Sequence, residues 1–298
     1  MQNNNTKSYF HLHLIVFIWG FTAILGNLIS IKEVTLVWYR MMLAGFFILI
    51  YVLVTKKSFK LPLKASSHLL LVGLLIALHW IFFFKAIKVS NVSVTLAVFS
   101  TGAFFASILE PIFYKRKLLW YEVFFGLIIV GGLLLILQVE AKYTAGALYA
   151  LLSVFLGVLF TLFNGKLIQK HEDSIITLYE FFAGAFFVTL YLLFTNSFST
   201  SFFILSTKDW MYLLLLASIC TAYAFTASIN VMRKLTPYTV MLTTNMEPVY
   251  GIILAYFILN ENQMSVTFYI GSLIILATVI LNGVIKHYYK VKAKKQTV

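Results

Sequence analysis

The chain has 298 residues, of which 61% are hydrophobic and only 11% charged, against roughly 25% charged in a typical soluble domain. So few charges cannot cover a water-facing surface, which excludes an ordinary soluble protein and places the chain in a lipid bilayer. The formal net charge of +13 would suggest nucleic acid in a soluble protein. Here the basic residues sit in short segments between apolar runs, with Lys290, Lys292, Lys294 and Lys295 at the C-terminus. That is the distribution of a topology signal, so no nucleic-acid partner is expected.

Apolar runs of about 20 residues, the length that crosses a hydrocarbon core as a helix, occur at 12–31, 34–54, 67–87, 91–113, 118–137, 145–167, 174–195, 210–232, 238–259 and 265–285. They are continuously apolar and do not alternate, so barrel strands do not fit them. The first run follows a short polar start, lacks a small-residue cleavage site and reads as a retained helix. The single cysteine, Cys220, can form no intrachain disulfide. The predicted fold class is all-α: a polytopic integral membrane protein with ten transmembrane helices.

The loops give an independent test. With a cytoplasmic N-terminus, the inner segments hold Lys7, then Lys56, Lys57, Lys60 and Lys64, then Lys115, Arg116 and Lys117, then Lys166 and Lys170, then Arg233 and Lys234, then Lys286 and the C-terminal cluster. The outer segments hold Lys32, Lys85, Lys88, Lys142 and Lys208. Seventeen against five is the imbalance of a multi-pass protein of the cell membrane with both termini cytoplasmic. The connections are too short for a soluble domain, the longest being 196–209. No Walker loop, zinc-ligand spacing or dinucleotide fingerprint occurs, so neither metal nor cofactor is expected.

The chain also reads as two related units, 1–139 and 140–298. Phe21, Thr22 and Gly26 align with Phe160, Thr161 and Gly165 at an offset of 139, and Trp38-Tyr39-Arg40 with Leu178-Tyr179-Glu180 at 140. Ser90-Asn91 aligns with Leu235-Thr236, and Gly126 with Gly271, at 145. Five spans per unit is odd, so the second unit would enter the membrane from the opposite side, as in transporters built from inverted repeats.

Local sequence agrees with one family. Phe17-Ile18-Trp19-Gly20-Phe21 resembles the W-G pattern of the first span in the EamA-like branch of the drug/metabolite transporter superfamily. Leu235-Thr236-Pro237-Tyr238, Glu247-Pro248 and Asn260-Glu261 are similar to its second-half run of a mid-span proline followed by a G-E pair. Three positions depart from the pattern: Lys115-Arg116 stands where the first half often has G-E, Ala103 where a mid-span proline is expected, and Asn260 where glycine is usual. The resemblance implies a secondary transporter and not an enzyme, exporting or exchanging a small organic metabolite across the inner membrane, amino acids among the family's substrates. It also implies a cavity lined by spans one, three, four, six, eight and nine.

Ionisable groups inside a span cost roughly 2.5–3.5 kcal/mol on insertion scales, so each calls for a reason. Glu247 sits mid-span beside Thr244, Asn245 and Pro248. Pro248 lacks an N–H and so frees the Thr244 carbonyl, which makes this helix break a candidate cation or proton site; a carboxylic acid bonding a neighbouring helix is the other reading. Arg40 would attract an anionic group or snorkel to the headgroups, and Glu180, its repeat mate, lies at the opposite depth and is not expected to pair with it. His79 would relay protons or pack through a hydrogen bond. Lys85 is expected to snorkel and Glu110 to pair at the interface with Lys115 and Arg116. Trp19, Tyr39, Trp80, Tyr223 and Phe225 could stack on a ligand or face lipid, while Asn27, Asn164 and Asn230 could link helices. A lipid-modifying enzyme and a non-transporting scaffold are the rival readings. The topology is tested by impermeant thiol labelling in a Cys220→Ser background: Lys142→Cys should react from outside intact cells and Lys292→Cys only after permeabilisation.

Overall fold

The computed structural model describes residues 2–115, 117, 120–139, 141–261 and 264–296, and among them every regular element is helical. Helices α1 (Gln2–Leu28), α2 (Glu33–Val54) and α3 (Leu63–Val89) precede a helix interrupted near its middle, α4 (Val92–Phe99) and α5 (Gly102–Tyr114). After α6 (Trp120–Val139) a 3-10 turn at Ala141–Tyr143 leads into α7 (Thr144–Leu167) and α8 (Asp173–Phe194). The single turn α9 (Thr200–Phe203) comes next, then α10 (Thr207–Ala217), which runs through a π-helical turn at Ser218–Tyr223 into α11 (Ala224–Val231). A second interrupted pair, α12 (Pro237–Thr244) and α13 (Met246–Ile258), is followed by α14 (Val266–Gln296).

Seven helical segments among the described residues are long and apolar enough to cross a membrane: Thr6–Leu28, Glu33–Val54, Leu63–Val89, Val92–Tyr114, Ala141–Leu167, Asp173–Phe194 and Thr207–Val231. Phe124–Ile136 and Val266–Thr278 are apolar but shorter. The pair α12–α13 falls outside this set because Thr243, Thr244, Asn245 and Glu247 dilute the apolar run at its centre. The interior is largely apolar, yet the exterior is apolar as well. Val54, Leu63, Trp120 and Phe194 stand exposed on the outside, while Arg40, Glu180 and Asn164 are buried within. Such a surface suits hydrocarbon and would not stay dispersed in water.

The helix ends meet in two polar layers at opposite ends of α2. Next to its last turn, Lys57 pairs with Glu172 at 3.3 Å, lies 3.7 Å from Asp173 and donates to the Ser174 hydroxyl at 3.1 Å. Burial disfavours its charge, yet Asp173, Glu172 and Tyr51 outweigh that and hold the Lys57 pKa above its ordinary value. In the same layer Asn230 donates to Asp173 at 2.6 Å, Arg233 to the His171 carbonyl at 2.9 Å and Lys166 to the Phe113 carbonyl at 2.9 Å. At the other end Glu33 pairs with Lys85 at 2.9 Å. Lys88 donates to the carbonyls of Ile29 and Ile31 at the end of α1. Asp209 accepts from the Ser30 amide and hydroxyl and from the Ser206 hydroxyl, each at 2.7 Å. Lys85 is therefore a paired group. Glu110 is almost buried in α5, and Arg116, one of its expected partners, lies outside the described residues.

Asn260 and Lys115, two of the departures from the family pattern, occupy left-handed backbone with φ of 55° and 54°. Glycine is the natural occupant of that region and asparagine tolerates it well, so the turn survives the substitution at 260. Glu261 follows and caps the start of α4, accepting from the amides of Val92 at 3.1 Å and Ser93 at 2.9 Å and from the Ser93 hydroxyl at 2.8 Å. A carboxylate on free amides at a helix N-terminus is favoured by both the hydrogen bonds and the helix dipole.

The two interruptions have different causes. Between α12 and α13 the chain breaks at Asn245, three residues before Pro248, the residue expected to break it. Pro248 sits in the first turn of α13, where no N–H is needed, and its ring denies the Thr244 carbonyl a helical donor. Between α4 and α5 no proline is required. Ser100 and Thr101 turn back on the carbonyls of Ala97 and Val98 at 3.3 and 3.0 Å, and the Thr101 hydroxyl adds a bond to Val98 at 2.8 Å.

Helix α3 packs along α7 and α8, and at Gly73 and Gly184 the α3 and α8 backbones touch. A Cβ on Gly73 would lie 2.5 Å from the Glu180 carbonyl oxygen, and one on Gly184 would lie 2.7 Å from the Gly73 carbonyl oxygen. Gly73→Ala should therefore destabilise the bundle by about 1–3 kcal/mol, measured as a fall in thermal unfolding temperature in detergent. Gly131→Ala, where a Cβ meets nothing within 4 Å, should not.

Candidate functional site

At the centre of the bundle lies a cavity of about 100 Å³. Its walls come from α1, α3, α4, α7, α11, α12 and α13, with Arg40 contributed by α2. Six aromatic rings (Trp19, Trp80, Phe83, Phe99, Phe160 and Phe225) make most of the apolar surface, and Arg40, His79, Asn164, Thr244 and Glu247 are set among them.

Arg40 is 2% exposed and does not snorkel. Its Nε donates to the Thr221 hydroxyl at 2.7 Å, and its guanidinium carbon stands 3.8 Å from the centre of the Trp80 ring. A cation on an indole face away from water is worth about 2 kcal/mol, so Trp80 is already occupied by the protein's own cation. Thr221 lies in the π-helical turn and donates in its own right to the Leu216 carbonyl, five residues back, at 2.6 Å. That spacing is the π-helical one, and such turns are frequent at functional sites. The Nη1 of Arg40 has no hydrogen-bond partner. Glu247 lines the same cavity, yet no ion pair within 4.0 Å joins it to Arg40 among the described residues. A fixed cation and a carboxyl thus share one space without touching.

His79 is locked by a reciprocal contact between α3 and α7. Its Nδ1 is 2.7 Å from the Ser153 carbonyl, and the Ser153 hydroxyl donates to the His79 carbonyl at 2.7 Å. A carbonyl only accepts, so Nδ1 carries the proton and Nε2 is the acceptor of the neutral ring. Gly157 makes room for this ring, since a Cβ there would lie 3.1 Å from His79 Cε1.

The structure brings Trp19, Arg40, His79, Trp80, Thr244 and Glu247 together on the cavity. Five other residues singled out from the sequence lie elsewhere. Tyr223 is exposed and bonds His11 at 2.9 Å. Asn230 belongs to the polar layer around Asp173. Asn245 turns its amide onto its own helix, donating to the Met241 carbonyl at 2.8 Å and the Leu242 carbonyl at 3.2 Å. Glu180 stands behind the wall, reached by Asn164 Nδ2 at 3.4 Å. Tyr39 joins a separate aromatic cluster with Trp38, Phe202 and Trp210. Two lining residues missed as site candidates, Thr22 and Thr161, were visible as mates in the repeat alignment. Thr221 carried no sequence signal, because nothing in the residue order announces a π turn.

A helical bundle with an apolar exterior and a buried aromatic cavity holding one cation and one carboxyl is built as a membrane transport protein. The chain belongs to the EamA-like transporter family, which it matches over residues 6–138 and 144–284. It is 23% identical over 291 residues to an "Uncharacterized transporter" of Archaeoglobus fulgidus, covering 95% of this chain and 99% of that one. A solved crystal structure matches it at 14% identity with a TM-score of 0.69, over 95% of this chain and 99% of the other, which shows a shared fold.

The Arg40 contact is open to direct test. Thr221→Val keeps the shape but removes the acceptor, leaving a buried N–H of a charged group unpaired. The expected loss is about 1.5–3 kcal/mol, read from thermal unfolding in detergent, with Thr221→Ser restoring most of it.

Proposed function

We propose that this multi-pass membrane protein is a secondary transporter that exports or exchanges a small organic metabolite across the cell membrane by alternating access. The observation that carries this reading is that Arg40 and Glu247 line one aromatic cavity without forming an ion pair. A cation suits a carboxylate, a carboxyl suits an ammonium group, and six rings suit an apolar body. An amino acid or related zwitterion has all three. Belonging to a transporter family favours transport over the rival readings of a lipid-modifying enzyme or a scaffold.

The machinery is two inverted units of five spans, 1–139 and 140–298, with ten spans in all and both termini cytoplasmic. Several positions support this register. Glu33–Val54 and Asp173–Phe194 are displaced by 140 residues at both ends, and Val92–Phe99 and Pro237–Thr244 by 145. Among the described residues, the four non-glycine residues with positive φ fall into two pairs at the same offsets, Lys56 with Asn196 and Lys115 with Asn260. The topology is supported by the polar layers. The layer holding Lys57, Lys166 and Arg233 gathers the basic segments assigned to the inside, and the layer holding Lys85, Lys88 and Asp209 gathers those assigned to the outside.

Glu247 is the carboxyl that faces substrate and exchanges protons with the cavity. The test is uptake of a radiolabelled amino-acid mixture into proteoliposomes. Wild type should show saturable flux; Arg40→Gln should lower it about tenfold or more, the loss of one charge-assisted contact. Glu247→Gln should flatten its pH dependence. Absence of saturable flux in wild type under either pH gradient would leave the scaffold reading standing.

A further inference from the structure

Glu180 is fully buried, and its Oε1 has no hydrogen-bond partner. Its Oε2 receives only the long bond from Asn164 at 3.4 Å, and the Oδ1 of Asn164 is itself buried without a partner. Each member of this contacting pair therefore carries one buried acceptor oxygen with no donor for it. A bare carboxylate in that position would be nearly unsolvated, a state that costs several kcal/mol. A proton on Oε1 cancels the charge and turns one orphan acceptor into a donor. A hard metal cation fits poorly, because it takes about six oxygens and these two side chains offer three.

The surroundings supply no counter-charge. Helices α2, α3 and α11 pack on α8, and Asn164 reaches it from α7. Their titratable groups are Glu33, Tyr39, Arg40 and Tyr51 on α2, Lys64, His68, His79, Lys85 and Lys88 on α3, and Tyr149 and Lys166 on α7, with none on α11; Asp173, Tyr179 and Tyr191 lie on α8 itself. None of them hydrogen-bonds or ion-pairs with Glu180. Arg40 and His79, which line the neighbouring cavity, are committed to Thr221 and Trp80 and to Ser153 respectively. Glu180 is outside the cavity wall, but Asn164 is part of it, so one amide separates the carboxyl from the transport path.

We propose that Glu180 is an occluded proton-binding site, distinct from Glu247, and that Asn164 is the positioning residue that connects it to the central cavity. One access state holds the proton on Glu180, and the other opens the Asn164 wall and returns it to the cavity; only the O–H bond is made and broken. The coupling role rests on the transport reading above, whereas the site itself rests on the buried pair.

The test is infrared spectroscopy of the purified full-length protein, titrated in potassium buffer. A protonated-carboxyl band should be present at neutral pH, lost in Glu180→Gln and kept in Glu247→Gln. A band set unchanged by Glu180→Gln overturns the site, and so does loss of that band when sodium replaces potassium, which would mark a sodium site. Should Glu180→Gln fail to fold, Asn164→Leu reads the same pair: the band should shift to that of a carboxyl without a hydrogen-bond partner, and an unmoved band overturns the site. Coupling is read in vesicles loaded with a pH-sensitive dye and challenged with an amino-acid mixture. Glu180→Gln should lose the substrate-driven dye response while keeping labelled amino-acid exchange, and an unchanged dye response overturns the coupling. A wild type that moves no labelled solute but whose infrared band still depends on Glu180 rejects the transport reading and supports the site.

Discussion

A guanidinium that is only 2% exposed inside an apolar bundle has to be held largely by the protein itself. Arg40 meets this requirement with one hydrogen bond to Thr221 and one aromatic face from Trp80. Each of those supports is set by a larger feature. Thr221 presents its hydroxyl from a π-helical turn between α10 and α11, and Trp80 sits on α3, next to the His79 that Ser153 locks in place. The same cation keeps one buried nitrogen without a partner and lines a cavity that also holds Glu247. The position of α2, the π-helical turn after α10 and the polar side of the cavity thus all meet at one buried charge.

Backbone hydrogen bonding imposes the second constraint. A chain in hydrocarbon must satisfy its N–H and C=O groups internally, so interruptions occur only where a cavity or a side chain takes over. Asn245 does so with its own amide, and Ser100 and Thr101 do so with tight turns and a hydroxyl. Both interruptions are in helices that line the cavity, next to Glu247 in one case and Phe99 in the other. Broken helices at such a depth combine local backbone freedom with a polar surface, which an uninterrupted apolar helix does not provide.

The bundle is tied at both ends by contacts between residues far apart in sequence. Lys57 meets Asp173 and Glu172 at one end, while Ser30 meets Asp209 and Glu261 caps α4 at the other. In the proposed two-unit scheme each of these joins one unit to the other. The ties are not symmetric. Glu261 caps α4, whereas its repeat mate is Arg116, which cannot accept a hydrogen bond; α12 instead starts with Thr236 as its cap and Pro237, which has one N–H fewer to satisfy.

Much of this could be read from residue order, because hydrophobic runs and loop charges are local properties. The helical class, the membrane setting, the family resemblance and six of the cavity residues, Glu247 and Arg40 among them, followed from apolar length, the cost of a charge in lipid and the W-G and E-P motifs. Pairing decides the rest, and pairing is not local. Lys85 reads as a snorkelling lysine, and only the structure shows Glu33 2.9 Å from it. Tyr223 and Asn230 shared the composition of site residues but point to His11 and to Asp173. Glu180 and Asn164 lie sixteen residues apart on different helices, and only the reach of Asn164 from α7 to α8 joins two side chains that each keep a buried oxygen without a donor. The sequence by itself determined which groups must leave water and roughly at what depth; the tertiary structure alone decided what each meets there, because a partner's position depends on the rotation and approach of a second helix.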